Sequence, residues 1–196
     1  NAPDCDVVGA QAGFNFGRGI YSATANDAVA EENGLNGVEA DLATSSTSHL
    51  NAGAGFLLTN GGAHLEATGN TSGIVTLAGN LTDSNAYSNT LDGITITGSG
   101  TALRCVAKQN GGDGLVSSGA IEGSISEDNG GLGARGSAGS SLVNCRILGN
   151  RGGSIDGIQS LLGCAVANNA SGISNVASVE GCYIGANDGV GVQAVQ

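Results

Sequence analysis

An asparagine recurs every 18 to 21 residues along almost the whole chain. Asn15, Asn33, Asn51, Asn70, Asn89, Asn110, Asn129, Asn150, Asn169 and Asn187 are separated by 18, 18, 19, 19, 21, 19, 21, 19 and 18 residues. A fixed period of this kind marks a solenoid, in which each repeat is one structural unit and touches only its neighbours. Helical repeats are longer, typically over ~30 residues. A leucine-rich repeat has a suitable length but needs a leucine scaffold that is absent here. Glycine supplies 36 of 196 residues, and no apolar stripe of helical period outlasts one turn, which excludes most helix. What remains is two-residue alternation, as in Ile94-Thr95-Ile96, Leu103-x-Cys105-x-Ala107 and Cys182-x-Ile184. These read as short, half-buried strands.

Around the asparagines a longer sentence repeats. Leu142–Asn150 reads LVNCRILGN, Ala102–Asn110 ALRCVAKQN, Leu161–Asn169 LLGCAVANN and Val179–Asn187 VEGCYIGAN. The pattern is apolar-x-x-Cys/Ser-x-apolar-x-x-Asn-x-x-x-Gly-apolar. It resembles the coil of right-handed parallel β-helix proteins, the pectate-lyase-like superfamily, over essentially all 196 residues. The resemblance implies one all-β domain over 1–196: a single-stranded right-handed β-solenoid of about 10 coils, with no capping helix. It implies little about activity, because that fold hosts lyases, epimerases, phage spikes and adhesins.

Stacked coils lie ~4.7–4.9 Å apart, so equivalent residues form columns and 10 coils make a rod roughly 50 Å long. The asparagines are expected to form a ladder of side-chain amides at a sharp turn, with Asn itself adopting the left-handed conformation. The Gly four residues later is expected to supply the next bend. Five before each Asn the column reads Ala10, Ala28, Ser46, Leu65, Ser84, Cys105, Ser124, Cys145, Cys164, Cys182, almost all small, as a narrow interior demands. Three before, it runs from Ala12, Ala30 and Ser48 to the bulkier Ile147, Val166 and Ile184. One coil is irregular: after Asn150 the Gly-apolar step is expected at Gly157-Ile158.

Formal net charge is −11, and the six basic residues, Arg18, Arg104, Lys108, Arg135, Arg146 and Arg151, are scattered. No basic patch is available for nucleic acid or an anionic membrane. No stretch is long enough for a helix to span a bilayer. The start at Asn1, without Met, reads as a processed, exported protein, extracellular or at the cell surface.

The cysteine column, Cys105, Cys145, Cys164 and Cys182, reads first as buried thiols packed like small apolar residues. Adjacent rungs would permit a disulfide by spacing, although parallel side chains are poorly aimed for one. No His shares the column, so no metal or cofactor is expected. Cys5 lies outside it, and the fifth cysteine raises the question of an intermolecular bond. Asn110-Gly111-Gly112-Asp113-Gly114 reads as a turn rather than a calcium loop. Of the sequons at Asn70, Asn80 and Asn169, two fall on ladder residues, which leaves Asn80 as a glycosylation site.

One polar cluster could carry chemistry. Six before each Asn, successive rungs hold His64, Asp83 and Arg104, and four before lie Glu66 and Asn85. They are expected on one outward face, within reach of each other. A lyase or epimerase acting on polysaccharide would use such a base, carboxylate and cation. The plain alternative is charge pairing across rungs of a solvated face. The calcium-binding acid cluster that the resemblance implies for lyases has no match here.

The chain starts and stops within a coil, and solenoids normally need polar caps. Uncapped edges invite strand pairing with another chain. The last rung is expected to expose Ile173, Val179, Ile184, Val190 and Val192, and Val7, Val8, Ala10, Ala12, Ile184, Val190 and Val192 are the candidate subunit interface. A head-to-tail contact of one copy with the next that does not close a ring builds a filament. The expected function is therefore an extracellular structural subunit. The competing expectations are a carbohydrate-active enzyme and a phage spike or adhesin domain.

Overall fold

The computed structural model describes residues 4–189 and 191–194, and Val190 of the expected interface lies outside them. The described residues form strands and bends, with no helix. All inter-strand pairing is parallel, and each strand pairs with the equivalent strand one coil away. The chain is a β-solenoid of about 10 coils, as the period requires.

Each coil carries three strand segments. The first follows the Asn, as in Ile94–Ile96 and Leu115–Ser117. The second precedes the cysteine column, as in Ala120–Glu122 and Ser141–Val143. The third lies just before the next Asn, as in Val106–Lys108 and Ile125–Glu127. The third segments stack into a sheet of 10 strands. The first and second merge into one network of 18 strands. They merge because Ile20–Asn26 and Val38–Thr44 run through the bend that elsewhere divides them.

Register follows the columns. Three before each Asn, Ala12 pairs with Ala30, Ala30 with Ser48, and so on to Val166 with Ile184. Alternation sends these side chains inward. Ala30, Ala67, Ala86, Ala107, Ile147 and Val166 are fully buried. The second segments add Leu81, Ile121, Leu142 and Leu161, and the first segments add Phe56, Ile74, Ile94, Leu115 and Ile155. The core is thus a set of like-on-like apolar columns, and no coil buries its own inner face without its neighbours.

The left-handed residues are not the expected ones. In all ten coils the residue immediately before the Asn has positive φ, from Phe14 and Glu32 to Asn168 and Ala186, whereas no ladder Asn does. A second left-handed column lies six before each Asn, from Gly9 and Asp27 to Gly163 and Gly181. These two columns turn the chain into and out of the third segment. The Asn is free of backbone strain and is selected for its amide.

The glycines after the ladder also play another part. Gly93, Gly114 and Gly133 do not have positive φ. A Cβ at each would stand 2.6 Å from the Nδ2 of Asn110, Asn129 and Asn150, respectively. Glycine there leaves room for the amide of the next rung rather than making a bend. After Asn150 the step is not at Gly157-Ile158. Ser154 and Ile155 take the slots, with Ile155 paired to Ala134 below and Ile173 above.

Candidate functional site

The ladder is the dominant polar structure. The backbone N–H of each Asn donates to Oδ1 of the next at 2.9–3.2 Å, through all nine steps from Asn15 to Asn187. Nδ2 donates to the same Oδ1 at 2.8–3.3 Å. From Asn33 onward, Nδ2 also donates to the carbonyl three residues before the preceding Asn, as Asn129 does to Ala107 at 3.1 Å. One side chain therefore ties three coils together. From Asn33 to Asn169 these amides are at most 2% exposed, so the bonds satisfy groups that would otherwise be costly to bury.

The cysteine column does a related job. Ser46, Ser84 and Ser124 donate Oγ–H to the carbonyl two residues back, across the left-handed bend, at 2.7–3.0 Å. Cys105, Cys145, Cys164 and Cys182 make the same contact through Sγ at 3.3–3.5 Å. Seven of the ten coils thus place a hydroxyl or thiol donor at the γ position, whereas Ala10, Ala28 and Leu65 do without one. All five cysteines are free, with Cys5 exposed and Cys182 half-buried. Burial pushes the Cys105 thiol up to about 11.

His64, Asp83 and Arg104 lie on the left-handed bend six before the Asn, with φ of 55°, 48° and 52°, and not on a strand face. Asp83 and Arg104 come together. Nε donates to Oδ1 and Nη2 to Oδ2, both at 2.7 Å. The hydrogen bond from Arg104 holds the Asp83 carboxyl below its ordinary value, and the positive field of His64 adds a smaller push the same way. The pair makes Asp83 a weak base and occupies the guanidinium edge that would face a developing negative charge. The geometry is that of charge pairing across rungs.

A denser row escapes a reading confined to that column. Two before each Asn, on the outward side of the third segments, stand Glu31, His49, Thr68, Tyr87, Lys108 and Glu127 on successive coils. Lys108 Nζ meets Glu127 Oε2 at 3.1 Å. Burial, then the nearby Glu66 carboxylate, pushes the Tyr87 phenol up. Reading this column down the sequence would have found it. On the first segments Arg135 binds Asp113 at 2.7 Å, and the other carboxylate oxygen of Asp113 accepts the Leu132 N–H at 2.8 Å.

Among the described residues no group of three or more His, Cys, Asp or Glu is placed to hold a metal ion, and no helix is long and apolar enough to cross a membrane. The sequons divide as their burial dictates: Asn70 and Asn169 are buried in the ladder, whereas Asn80 is exposed.

Among the described residues, inner side chains of the first and last coils are partly uncovered. Val7, Ala10, Ala12, Val179, Cys182 and Ile184 pack on the core but are only half-buried. Val192 is 41% exposed on the edge, and Val8 points outward at 70%. Ile173, expected in the exposed set, is buried because Val192 stacks on it. Among the described residues, Asn15 Oδ1 receives no donor. At the other end Asn187 donates Nδ2 to Val166 O at 3.2 Å, and its backbone N–H has no acceptor there.

No protein-family model matches this sequence, and no curated protein matches it. Among solved structures the fold is similar to the A-module of the Azotobacter vinelandii mannuronan C-5 epimerase AlgE6. Identity is 15%, with a TM-score of 0.48 over 88% of this chain and 74% of that one.

Proposed function

We propose that this chain is a structural subunit, acting outside the cell or at its surface, whose solenoids stack end to end into a filament. The observation that carries this reading is the polarity of the asparagine ladder. One edge of the described structure offers an acceptor, Asn15 Oδ1, and the other offers donors on Asn187. A second copy placed in register would let Asn187 donate to Asn15 Oδ1 as every rung does to the next. The half-buried inner side chains at both edges would then be covered like their counterparts within the chain. Strand pairing would supply the hydrogen bonds that apolar contact alone does not. The contact is heterologous and propagates unless it closes a ring. A net charge of −11 discourages side-by-side clumping of such rods.

Chemistry on a polysaccharide at His64, Asp83 and Arg104 is the competing reading. It is weakened by the Asp83–Arg104 pair, in which base and cation satisfy each other. Negative-stain electron microscopy of the native protein decides between them. The expected result is filaments with an axial repeat of roughly 50 Å, ten coils at the strand spacing. Monomers at all concentrations, or lateral trimers, would overturn the proposal. Turnover of an acidic polysaccharide that is lost in His64→Ala would establish the competitor.

A further inference from the structure

A groove follows the ladder, floored by the asparagines and walled by the residues just before and just after each one. Its two ends differ in character. At the first coils it holds about 630 Å³, with Phe14, Glu32 and Leu50 on one wall and Phe16 opposite. Phe14 is 76% exposed and Phe16 103%. At the last coils it holds about 350 Å³; Arg151 and Asn168 line its inner part, and the outermost coil offers only Ala186 and Asp188.

Phe14 occupies a left-handed position, φ 58°, where glycine or asparagine would sit with less strain. The same conformation recurs before every ladder Asn, so it belongs to the corner, and the ring itself stands 76% exposed there.

We propose that Phe14 and Phe16 anchor the joint with a second copy of this chain, seated at the small-walled end of its groove. The inference rests on the end-to-end reading above and adds which residues hold the joint. If the ladder continues from Asn187 to Asn15 of the next copy, the same register puts Phe14 in the column of Ala186 and Phe16 in that of Asp188. Phe14 of one copy then covers the small Ala186 of the other, and Phe16 lies over Asp188, on the same corner of the fold. Two exposed aromatics flanking a hydrogen-bonded centre are the arrangement from which interface hot spots are built. A lateral partner would leave the small-walled end unfilled, and a small ligand would not need the two ends to match.

The test is the critical concentration for assembly, measured by sedimentation. The double variant Phe14→Ala, Phe16→Ala should raise it by about 10-fold or more with an unchanged thermal midpoint, since both rings are exposed. Ala186→Phe, which fills the receiving groove, should raise it similarly. Leu77→Ala removes an exposed leucine away from this corner and should leave it unchanged. A photoreactive benzoylphenylalanine at position 14 should cross-link to residues 183–188 of another copy. Assembly of the double variant at the wild-type concentration, or cross-links only within one chain, would overturn this inference while leaving the filament intact. Absence of wild-type assembly would overturn the end-to-end reading, and this one with it.

Discussion

Asn129 reaches Oδ1 of Asn150 twice, through its backbone N–H at 3.1 Å and its side-chain Nδ2 at 2.9 Å. Both residues are fully buried. The same amide holds Ala107 O on the coil below and Ser126 Oγ on its own coil. Replacing Asn129 with Ala would strand the N–H and Nδ2 of Asn110, which now donate to it. The expected loss is on the order of 3 kcal/mol, read from the urea midpoint. Asn129→Asp keeps an acceptor but buries a carboxylate, and should be worse at neutral than at acid pH. A loss under about 0.5 kcal/mol would show that the ladder is decorative.

Two glycines separate space from backbone freedom. Gly114 has an ordinary backbone, but its Cβ would stand 2.0 Å from Ser126 Oγ and 2.6 Å from Asn129 Nδ2, which are hydrogen-bonded to each other. Gly123 is left-handed at φ 56°, and the nearest atom to its Cβ would be Arg104 Cγ at 3.6 Å. Gly123→Ala should cost ~1 kcal/mol, the strain of one left-handed residue. Gly114→Ala should cost ~2–3 kcal/mol through steric displacement of the ladder. The reverse order in thermal unfolding would restore the bend as the reason for glycine after the ladder.

Asp83 should titrate below the ordinary aspartate value of 3.8 because Arg104 clamps it. A folded carboxyl more acidic than the unfolded one contributes stability above about pH 4, lost as pH falls through the lowered value. Arg104→Met should return the titration toward the ordinary value, and His64→Ala should shift it less in the same direction. Carbon NMR of the Asp83 carboxyl measures both. No shift in Arg104→Met would mean that the pair is absent in solution.

The thiols should react in order of access. Cys5 is exposed and should be alkylated first, followed slowly by the half-buried Cys182. Cys105 is raised to about 11 by burial; the hydrogen bond between Cys145 and Cys164 pushes the first thiol far up and the second down to about 6, so Cys164 is held back by its 2% exposure alone. Cys105, Cys145 and Cys164 should stay unmodified until the coils unfold. Mass spectrometry after a timed pulse of iodoacetamide counts the adducts, and more than two before unfolding would contradict the packing.

The architecture was legible because the ladder accepts one side chain. Only asparagine combines an acceptor and two donors on so short a stem, so the period shows as identity from Asn15 to Asn187. The left-handed bends were not, because no single residue is required there. Gly9, Asp27, His64 and Arg104 hold the same conformation with unrelated side chains. The preference for Gly, Asp and Asn emerges only when the column is read over all ten coils. For the same reason His64, Asp83 and Arg104 were legible as neighbours, while their place on a bend was not. The Tyr87 row was hidden differently. Its residues share a face but no chemistry, so repetition cannot mark them.

The bend six before each Asn carries a further meaning. It holds Gly, Asp, Ser, His, Arg and Asn at nearly one φ, between 48° and 64°, so the backbone there, though it favours Gly, Asp and Asn, accepts side chains of unrelated chemistry. The corner is an address line of ten sites at the strand pitch of ~4.8 Å. A charge, a thiol or a ligand could be written at any chosen interval along the rod, for little more than the strain of one residue and without touching a core column.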